Sequence, residues 1–377
     1  MSLSPLASLM QTGTKIWLDS VDPELVHAAF AQGITGATSN PIIIADLIRS
    51  GRFDQSLFQL AELLASTPAH HAREGLKIHS DESQNIHNIH PGGFHEVLAW
   101  AMTNDLVSRA EEIFLPLYHR THGDDGYVSF EVDPLLEDAH CPLTVAQKIS
   151  RYVEQGKFWS KNHPNRMIKV PATEAGLGAL EELAFLGVPL NVTLIFSKRQ
   201  YRIARDSVWR GVKRRGDSLK HFKSVYSIFV SRLDIYSEKY LSSLSQDAQG
   251  LLGILNAKEI WRENKDFWLK NPTPLKQEII FASTGTKKPS DPPWKYVAAF
   301  AGSDIETNPP ATNAAVEKSG KTFSKEIEIL PSRPLVEEIH RILDPDHMEK
   351  VLMDEGLAKF AEPQKGLIET IAAKLKK

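Results

Sequence analysis

Cysteine is almost missing from this chain. Cys141 is the only one among 377 residues, so no intrachain disulfide can form and a reducing compartment is the expectation. Long apolar runs are missing too. No stretch approaches the ~20 residues that a membrane helix needs. The N-terminal MSLSPLASLMQTGTKIW has no basic segment followed by a long apolar core, as a secretion signal would. A cytoplasmic protein without a membrane partner is expected. Neither charge sign is in large excess: the formal net charge of −3 argues against a nucleic-acid-coating protein. There is no Gly/Ser-rich or Pro-rich linker long enough to divide the chain, and no repeat of fixed period. Apolar residues, by contrast, make up 42% of the chain, enough for a large core and against global disorder.

Eight stretches read as strands: KIWLD (15–19), TGATSN (35–40), GYVSFEV (126–132), RMIKV (166–170), LNVTLIF (190–196), SVYSIFV (224–230), EIIFAS (278–283) and KYVAAF (295–300). Most are rich in β-branched or aromatic residues and end at turn or helix-start residues. TGATSN is the weakest by propensity. Helical patterns lie between most of them. PELVHAAFAQ starts with Pro23 behind Asp22, a proline at the first helical position after a good N-cap. The stretches 173–187 and 198–216 have helical spacing and glycine stops. Alternation of this kind predicts a parallel sheet covered on both faces, and eight strands predict one closed (β/α)8 barrel over 1–377. Helical insertions are expected at about 51–122 and 233–276, with a helical C-terminal extension from about 333.

RMIKVPAT places Lys169 inside an apolar run that ends at Pro171. A buried ammonium group is unfavourable unless it is paired or neutralised. Residues two apart in a strand share a face. Lys169 therefore points away from Ile168 and Val170. Trp17 and Asp19 oppose Ile16 and Leu18. Ser129 and Glu131 oppose Val128, Phe130 and Val132. Asn191 and Thr193 oppose Val192 and Leu194. Ser227 and Phe229 oppose Tyr226, Ile228 and Val230. In a barrel these polar sets converge at the C-terminal mouth, where barrel enzymes place their chemistry. Three ionisable groups there (Lys169, Asp19 and Glu131) would destabilise the fold without a compensating role. A lysine amine that loses its proton is a nucleophile that forms Schiff bases with carbonyl substrates. The protonated imine stabilises a carbanion on the adjacent carbon.

WLDS, GATSNP, VSFEVDP, MIKVPAT, NVTLIFS, SIFVSRLD and FASTGTK, in that order, resemble the transaldolases, most closely the longer forms with an extended C-terminal helical region. The resemblance runs from about residue 13 to 320. It implies a (β/α)8 barrel and transfer of a dihydroxyacetone unit from sedoheptulose 7-phosphate or fructose 6-phosphate to an aldose phosphate. The reaction belongs to the non-oxidative pentose phosphate pathway. It implies sugar phosphates as partners, no cofactor and no metal. Carried over, Lys169 is the Schiff-base lysine and Asp19 the acid/base at the C4 hydroxyl. Glu131 and Thr193 hold the catalytic water. Asn40, Asn191 and Ser227 contact the dihydroxyacetone hydroxyls, and Phe229 faces the intermediate. Arg232, Ser283 and Lys287 meet the phosphate. A guanidinium such as that of Arg232 can grip phosphate oxygens with a bidentate fork.

Two segments stand outside this pattern. The stretch 70–95 carries His70, His71, His79, His87, His90 and His95 but lacks the cysteines and the regular spacing of a zinc motif, so it reads as an exposed loop. The basic stretch 198–216 reads as a solvated helix face rather than a nucleic-acid patch, and GTKKPSDPPW as a loop at the barrel mouth. The sequence leaves a homo-oligomer open. It also leaves two other readings: an aldolase that releases free dihydroxyacetone from fructose 6-phosphate, and a non-catalytic barrel that only binds.

Overall fold

The computed structural model describes residues 3–65, 80–216 and 219–376. Eight parallel strands close into a barrel in chain order. They are β1 (Lys15–Leu18), β2 (Gly36–Thr38), β3 (Val128–Glu131), β4 (Arg166–Pro171), β5 (Leu190–Ile195), β6 (Ser224–Phe229), β7 (Glu278–Ala282) and β8 (Ile305–Asn308). β1 pairs with both β2 and β8, which closes the ring. Helices follow the strands and form the outer layer, giving a (β/α)8 barrel.

The Asp22 cap and the glycine stop at 216 are as expected, and Thr173 adds a further cap. Asp22 accepts from the Glu24 backbone N–H at 3.1 Å at the start of Pro23–Ala31. Thr173 caps Glu174–Phe185, and Gly216 ends Lys198–Arg215 with φ 64°, a left-handed conformation that suits glycine. TGATSN holds a strand despite its poor propensity because β2 must pass close to β1. A Cβ on Gly36 would lie 2.6 Å from the Trp17 ring and 2.7 Å from the Tyr127 carbonyl oxygen.

One strand expectation fails. KYVAAF is a short helix, Lys295–Phe300, that buries Tyr296, Val297 and Phe300 on one side, and the eighth strand is Ile305–Asn308. A short apolar run fits a buried helix and a strand equally well by periodicity. The true strand, IETN, is masked by its charged and polar residues.

Side chains alternate as the strands predict. Ile16, Leu18, Val128, Phe130, Ile168, Val170, Val192, Tyr226 and Ile228 pack in the large core beneath the helices. Trp17, Met167 and Phe229 belong to a second cluster, on the opposite face of their strands. Leu194 departs from the expectation. It joins the second cluster rather than Val192, because its backbone turns to φ 56° and the β5–β6 register shifts after Val192.

Helices make up most of what is described of the three interrupting segments. Asp54–Ala65, Ser80–Ile89 and Phe94–Arg120 precede β3, Ser231–Tyr240 and Leu252–Lys270 precede β7, and Arg333–Ile342 and Pro345–Lys374 follow the barrel. The last helix packs on Pro41–Arg49, Phe94–Arg120 and Ser231–Tyr240, so it spans elements that follow β2 and β6. Its side chains pin it along its length. Glu349 accepts from Ser197 Oγ at 2.5 Å and pairs with Arg199, Lys365 pairs with Asp138 at 2.6 Å, and Lys374 pairs with Asp54 at 2.6 Å.

The basic stretch is the exposed helix face expected of it: Arg199, Arg202, Arg210, Lys213 and Arg214 are exposed, with surface pairs from Arg202 and Arg205 to Glu263 and from Arg210 and Arg214 to Glu181. Another surface expectation needs correction. In the histidine-rich stretch, His70, His71 and His79 lie outside the described residues. The remainder is not an exposed loop. Residues 80–89 are helical, and His90 is buried with its ring stacked on Trp100 at 4.2 Å. Among the described residues no helix is long and apolar enough to cross a membrane.

Candidate active site

The strand register assembles the site. Glu131 on β3 is the direct partner of Lys169 on β4, and Lys169 of Asn191 on β5. Three polar side chains of one row therefore meet on the inner face of the barrel. Lys169 is 5% exposed. Its Nζ donates to Glu131 Oε2 at 3.1 Å and to the Ser39 carbonyl at 3.0 Å, just beyond β2.

Asp19 follows β1 and accepts from Thr38 Oγ1 at 2.8 Å, and Thr38 Oγ1 is also 2.9 Å from Thr307 Oγ1 on β8. Loss of water raises the pKa of the Asp19 carboxyl above its usual range, against the pull of Lys169 and of the Thr38 hydrogen bond. Burial also raises that of Glu131. Lys169 opposes the rise, and the Asp19 charge adds to it. Burial thus disfavours the charged form of both carboxyls, and the neighbouring Lys169 side chain opposes that in each.

A carboxylate at the other end of the barrel behaves differently. Glu278, at the start of β7, accepts from Lys15 and Lys223, both at 2.7 Å. Burial alone would raise its pKa, but Lys223 and Lys15 pull it down to about 2. That group is locked as a structural anion. A cavity of about 510 Å³ opens at this end beside Lys15, Glu278, Lys265 and Asp304. There Lys265 pairs with Asp304, and Lys15 with Glu278.

Beside Lys169 the polar side chains form a chain. Ser227 Oγ donates to Asn191 Oδ1 at 2.8 Å, and Asn191 Nδ2 donates to Ser129 Oγ at 2.8 Å. Thr193 Oγ1 is buried without a protein partner. Asn40 caps Pro41–Arg49 through Oδ1, which accepts from the Ile43 N–H at 3.0 Å and leaves Nδ2 to donate elsewhere. Phe229 shares the inner face with Ser227, and its ring lies 5.5 Å from that of Phe196.

Positive charge gathers after β6 and β7. Ser231 Oγ lies 2.9 Å from Ser283 Oγ, which brings Arg232 beside the end of β7. Ser283 has φ 58°, a strained conformation for serine. Arg232 Nε is buried without a hydrogen-bond partner. Burial lowers the pKa of Arg232. That of Lys287 is lowered by burial and then by repulsion from Arg232 and Lys359.

The sequence-predicted residues thus fall into two groups, one around Lys169 and one around Arg232. Sequence reasoning missed Thr38, Thr307 and the Ser39 carbonyl. Thr38 was accessible, since it shares strand parity with Asn40. Thr307 was hidden with the misplaced eighth strand.

This geometry is that of an amine between two titratable carboxyls at a barrel mouth, and the sequence pattern of the Transaldolase/Fructose-6-phosphate aldolase family matches residues 16–371. The chain belongs to that family. It is 31% identical to "Transaldolase 2" of Streptomyces coelicolor over 99% of this chain and 97% of the relative. It is 30% identical to "Transaldolase" of Kocuria rhizophila, over 99% of this chain and 98% of the relative. A third relative, "Transaldolase 2" of Nostoc sp., is 28% identical over 100% of this chain and 99% of its own length.

One cluster lies apart from the transaldolase-family site. His90 Nδ1, Glu96 and Asp133 present ligand atoms within 4.8 Å of one another. Trp159 Nε1 donates to His90 Nε2 at 3.3 Å. That bond puts the lone pair on Nε2 and the proton on Nδ1, facing the two carboxyls. A metal on Nδ1 would require the opposite tautomer, so the site does not favour one. Burial and the Asp133 charge raise the Glu96 pKa to about 7.

Proposed function

We propose that the protein is a transaldolase that carries a dihydroxyacetone unit as a Schiff base on Lys169. The observation that supports this most strongly is the buried Lys169 Nζ, 3.1 Å from Glu131 and within the electrostatic reach of Asp19. The deprotonated amine attacks C2 of sedoheptulose 7-phosphate or fructose 6-phosphate. Loss of water gives a protonated imine. Asp19 then takes the C4 hydroxyl proton, the C3–C4 bond breaks, and its electrons flow into the imine to leave an enamine. An aldose phosphate departs. The enamine carbon adds to the aldehyde of an acceptor, Asp19 returns the proton to the new hydroxyl, and water hydrolyses the imine. These steps use an amine, carboxyls and water, and electrons balance without an added cofactor.

In this reading Glu131 and Thr193 hold the water and move its protons. The unpartnered hydroxyl of Thr193 supports that role. Asn40, Asn191 and Ser227 hold the donor hydroxyls. Arg232, Ser283 and Lys287 hold the phosphate, which a guanidinium grips well. The full chain works as one barrel domain with helical additions.

The family also includes aldolases, which release the three-carbon unit. Release requires protonation of the enamine carbon. Phe229, on the inner face beside Ser227, offers a phenyl ring and no acidic proton, which favours transfer. A coupled assay of fructose 6-phosphate with and without erythrose 4-phosphate tests the proposal. Transfer predicts sustained turnover only with the acceptor. Equal turnover without it would identify an aldolase, and no turnover in either case would leave a binding barrel.

A further inference from the structure

We propose that the C-terminal helix completes the substrate site, with Lys359 as a third cation for the substrate phosphate beside Arg232 and Lys287. The proposal rests on the reading of Arg232 and Lys287 as phosphate groups of a Schiff-base enzyme.

The placement comes from the neighbouring residue. Phe360 is 6% exposed, and its ring centroid lies 5.7 Å from Lys169 Nζ. It belongs to the same cluster as Met167, Leu194, Phe196 and Phe229. Gly356, one turn earlier, packs against Leu194 and Phe196. The helix is also pinned on both sides of this point, by Glu349 on Ser197 and by Lys365 on Asp138. Phe360 therefore roofs the pocket over the reactive amine. Lys359, the preceding residue, is held at its rim.

The charges agree with this placement. Lys359 is itself exposed at that rim; partial loss of water and then repulsion from Arg232 lower its pKa, with Glu355 opposing. Lys287 is repelled by both Arg232 and Lys359. Among the described residues none of the three makes an ion pair within 4.0 Å, and the nearby Glu355 is 4.0 Å from Lys239 instead. Arg232 is half-buried while Lys287 and Lys359 are exposed, so water screens part of the repulsion among the three, but no counter-ion among the described residues removes it. A phosphate dianion placed among them would relieve that repulsion and accept a charge-assisted hydrogen bond from each. Phe360 and Lys359 then act together. The ring excludes water above the imine, while the ammonium group fixes the far end of the sugar phosphate. The C-terminal extension becomes part of the catalytic pocket rather than an external buttress.

The test compares Lys359→Met with the unaltered protein, with Lys350→Met as a control on the solvent side of the same helix. Lys359→Met should lower kcat/KM for fructose 6-phosphate by about tenfold, the size expected for one charge-assisted bond. It should leave the much slower reaction of unphosphorylated fructose unchanged, and Lys359→Arg should restore most of the loss. Calorimetric titration with inorganic phosphate gives a readout that needs no catalysis, and its affinity should fall by a similar factor in Lys359→Met. An equal loss with fructose and fructose 6-phosphate, or unchanged phosphate affinity, would overturn the proposal. If the unaltered protein forms no adduct with fructose 6-phosphate, the Schiff-base reading fails separately, and the phosphate titration still decides the role of Lys359.

Discussion

Glu131 and Lys169 are direct register partners across β3 and β4, and Lys169 Nζ donates to Glu131 Oε2 at 3.1 Å. The pair is buried, and the carboxyl is not a simple counter-ion. Burial and the Asp19 charge push its pKa up while Lys169 pulls it down. A carboxyl in that balance can pass protons to and from water next to the amine. Replacing Glu131 with Gln keeps the shape and removes the titration. We expect Glu131→Gln to lower kcat by at least ~10²-fold, the scale of general acid–base catalysis, and to flatten the limb of the pH–rate profile that the carboxyl controls. An unchanged profile would assign the proton transfers elsewhere.

Asp19 has a different task. It accepts from Thr38 and lies within electrostatic reach of Lys169, and in the proposed mechanism it takes the C4 hydroxyl proton. Asp19→Ala should therefore lose at least ~10²-fold in kcat with little change in KM, and it should still form some imine. A variant with normal kcat and only a raised KM would make Asp19 a binding group.

Much of this site is legible in the sequence because burial makes polar residues conspicuous. Lys169 stands out as an ammonium group between Ile168 and Val170, and strand parity then points Glu131, Asn191, Thr193 and Ser227 the same way. Parity fails at Leu194, because it assumes a regular strand and the backbone there turns left-handed. It fails again at β8. IETN carries a carboxylate that faces the helix layer, whereas KYVAAF has the composition of a strand and the geometry of a helix. Phe360 and Lys359 are invisible to local patterns altogether, since nothing within a helix states which distant pocket it will cover.

Phe229 tests the balance between transfer and release. A phenol in its place could supply the proton that the enamine needs. Phe229→Tyr should raise dihydroxyacetone release from fructose 6-phosphate relative to transfer to erythrose 4-phosphate. An unchanged ratio of the two products, measured in one reaction mixture, would remove the residue from that role.

Glu306 on β8 predicts a pH effect on stability. It is fully buried opposite Ile16 and Phe281, and neither carboxyl oxygen has a hydrogen-bond partner. Burial raises its pKa well above the ordinary value of 4.5. A carboxyl with a raised folded-state pKa favours folding below its unfolded pKa, and that contribution is lost as pH rises towards the folded one. Glu306→Gln should therefore stabilise the fold above about pH 5, with a gain that grows with pH across that window. Thermal melts at pH 5 and pH 8 check it. A gain that is the same at both values would contradict the assignment.

The most direct measurement is chemical trapping at Lys169. The protein is incubated with fructose 6-phosphate, reduced with borohydride, digested and analysed by peptide mass spectrometry. A reduced three-carbon adduct on Lys169 is expected, absent from Lys169→Ala, which should also lose turnover. An active protein whose Lys169 remains unmodified, or an adduct on another lysine that survives in Lys169→Ala, would contradict it.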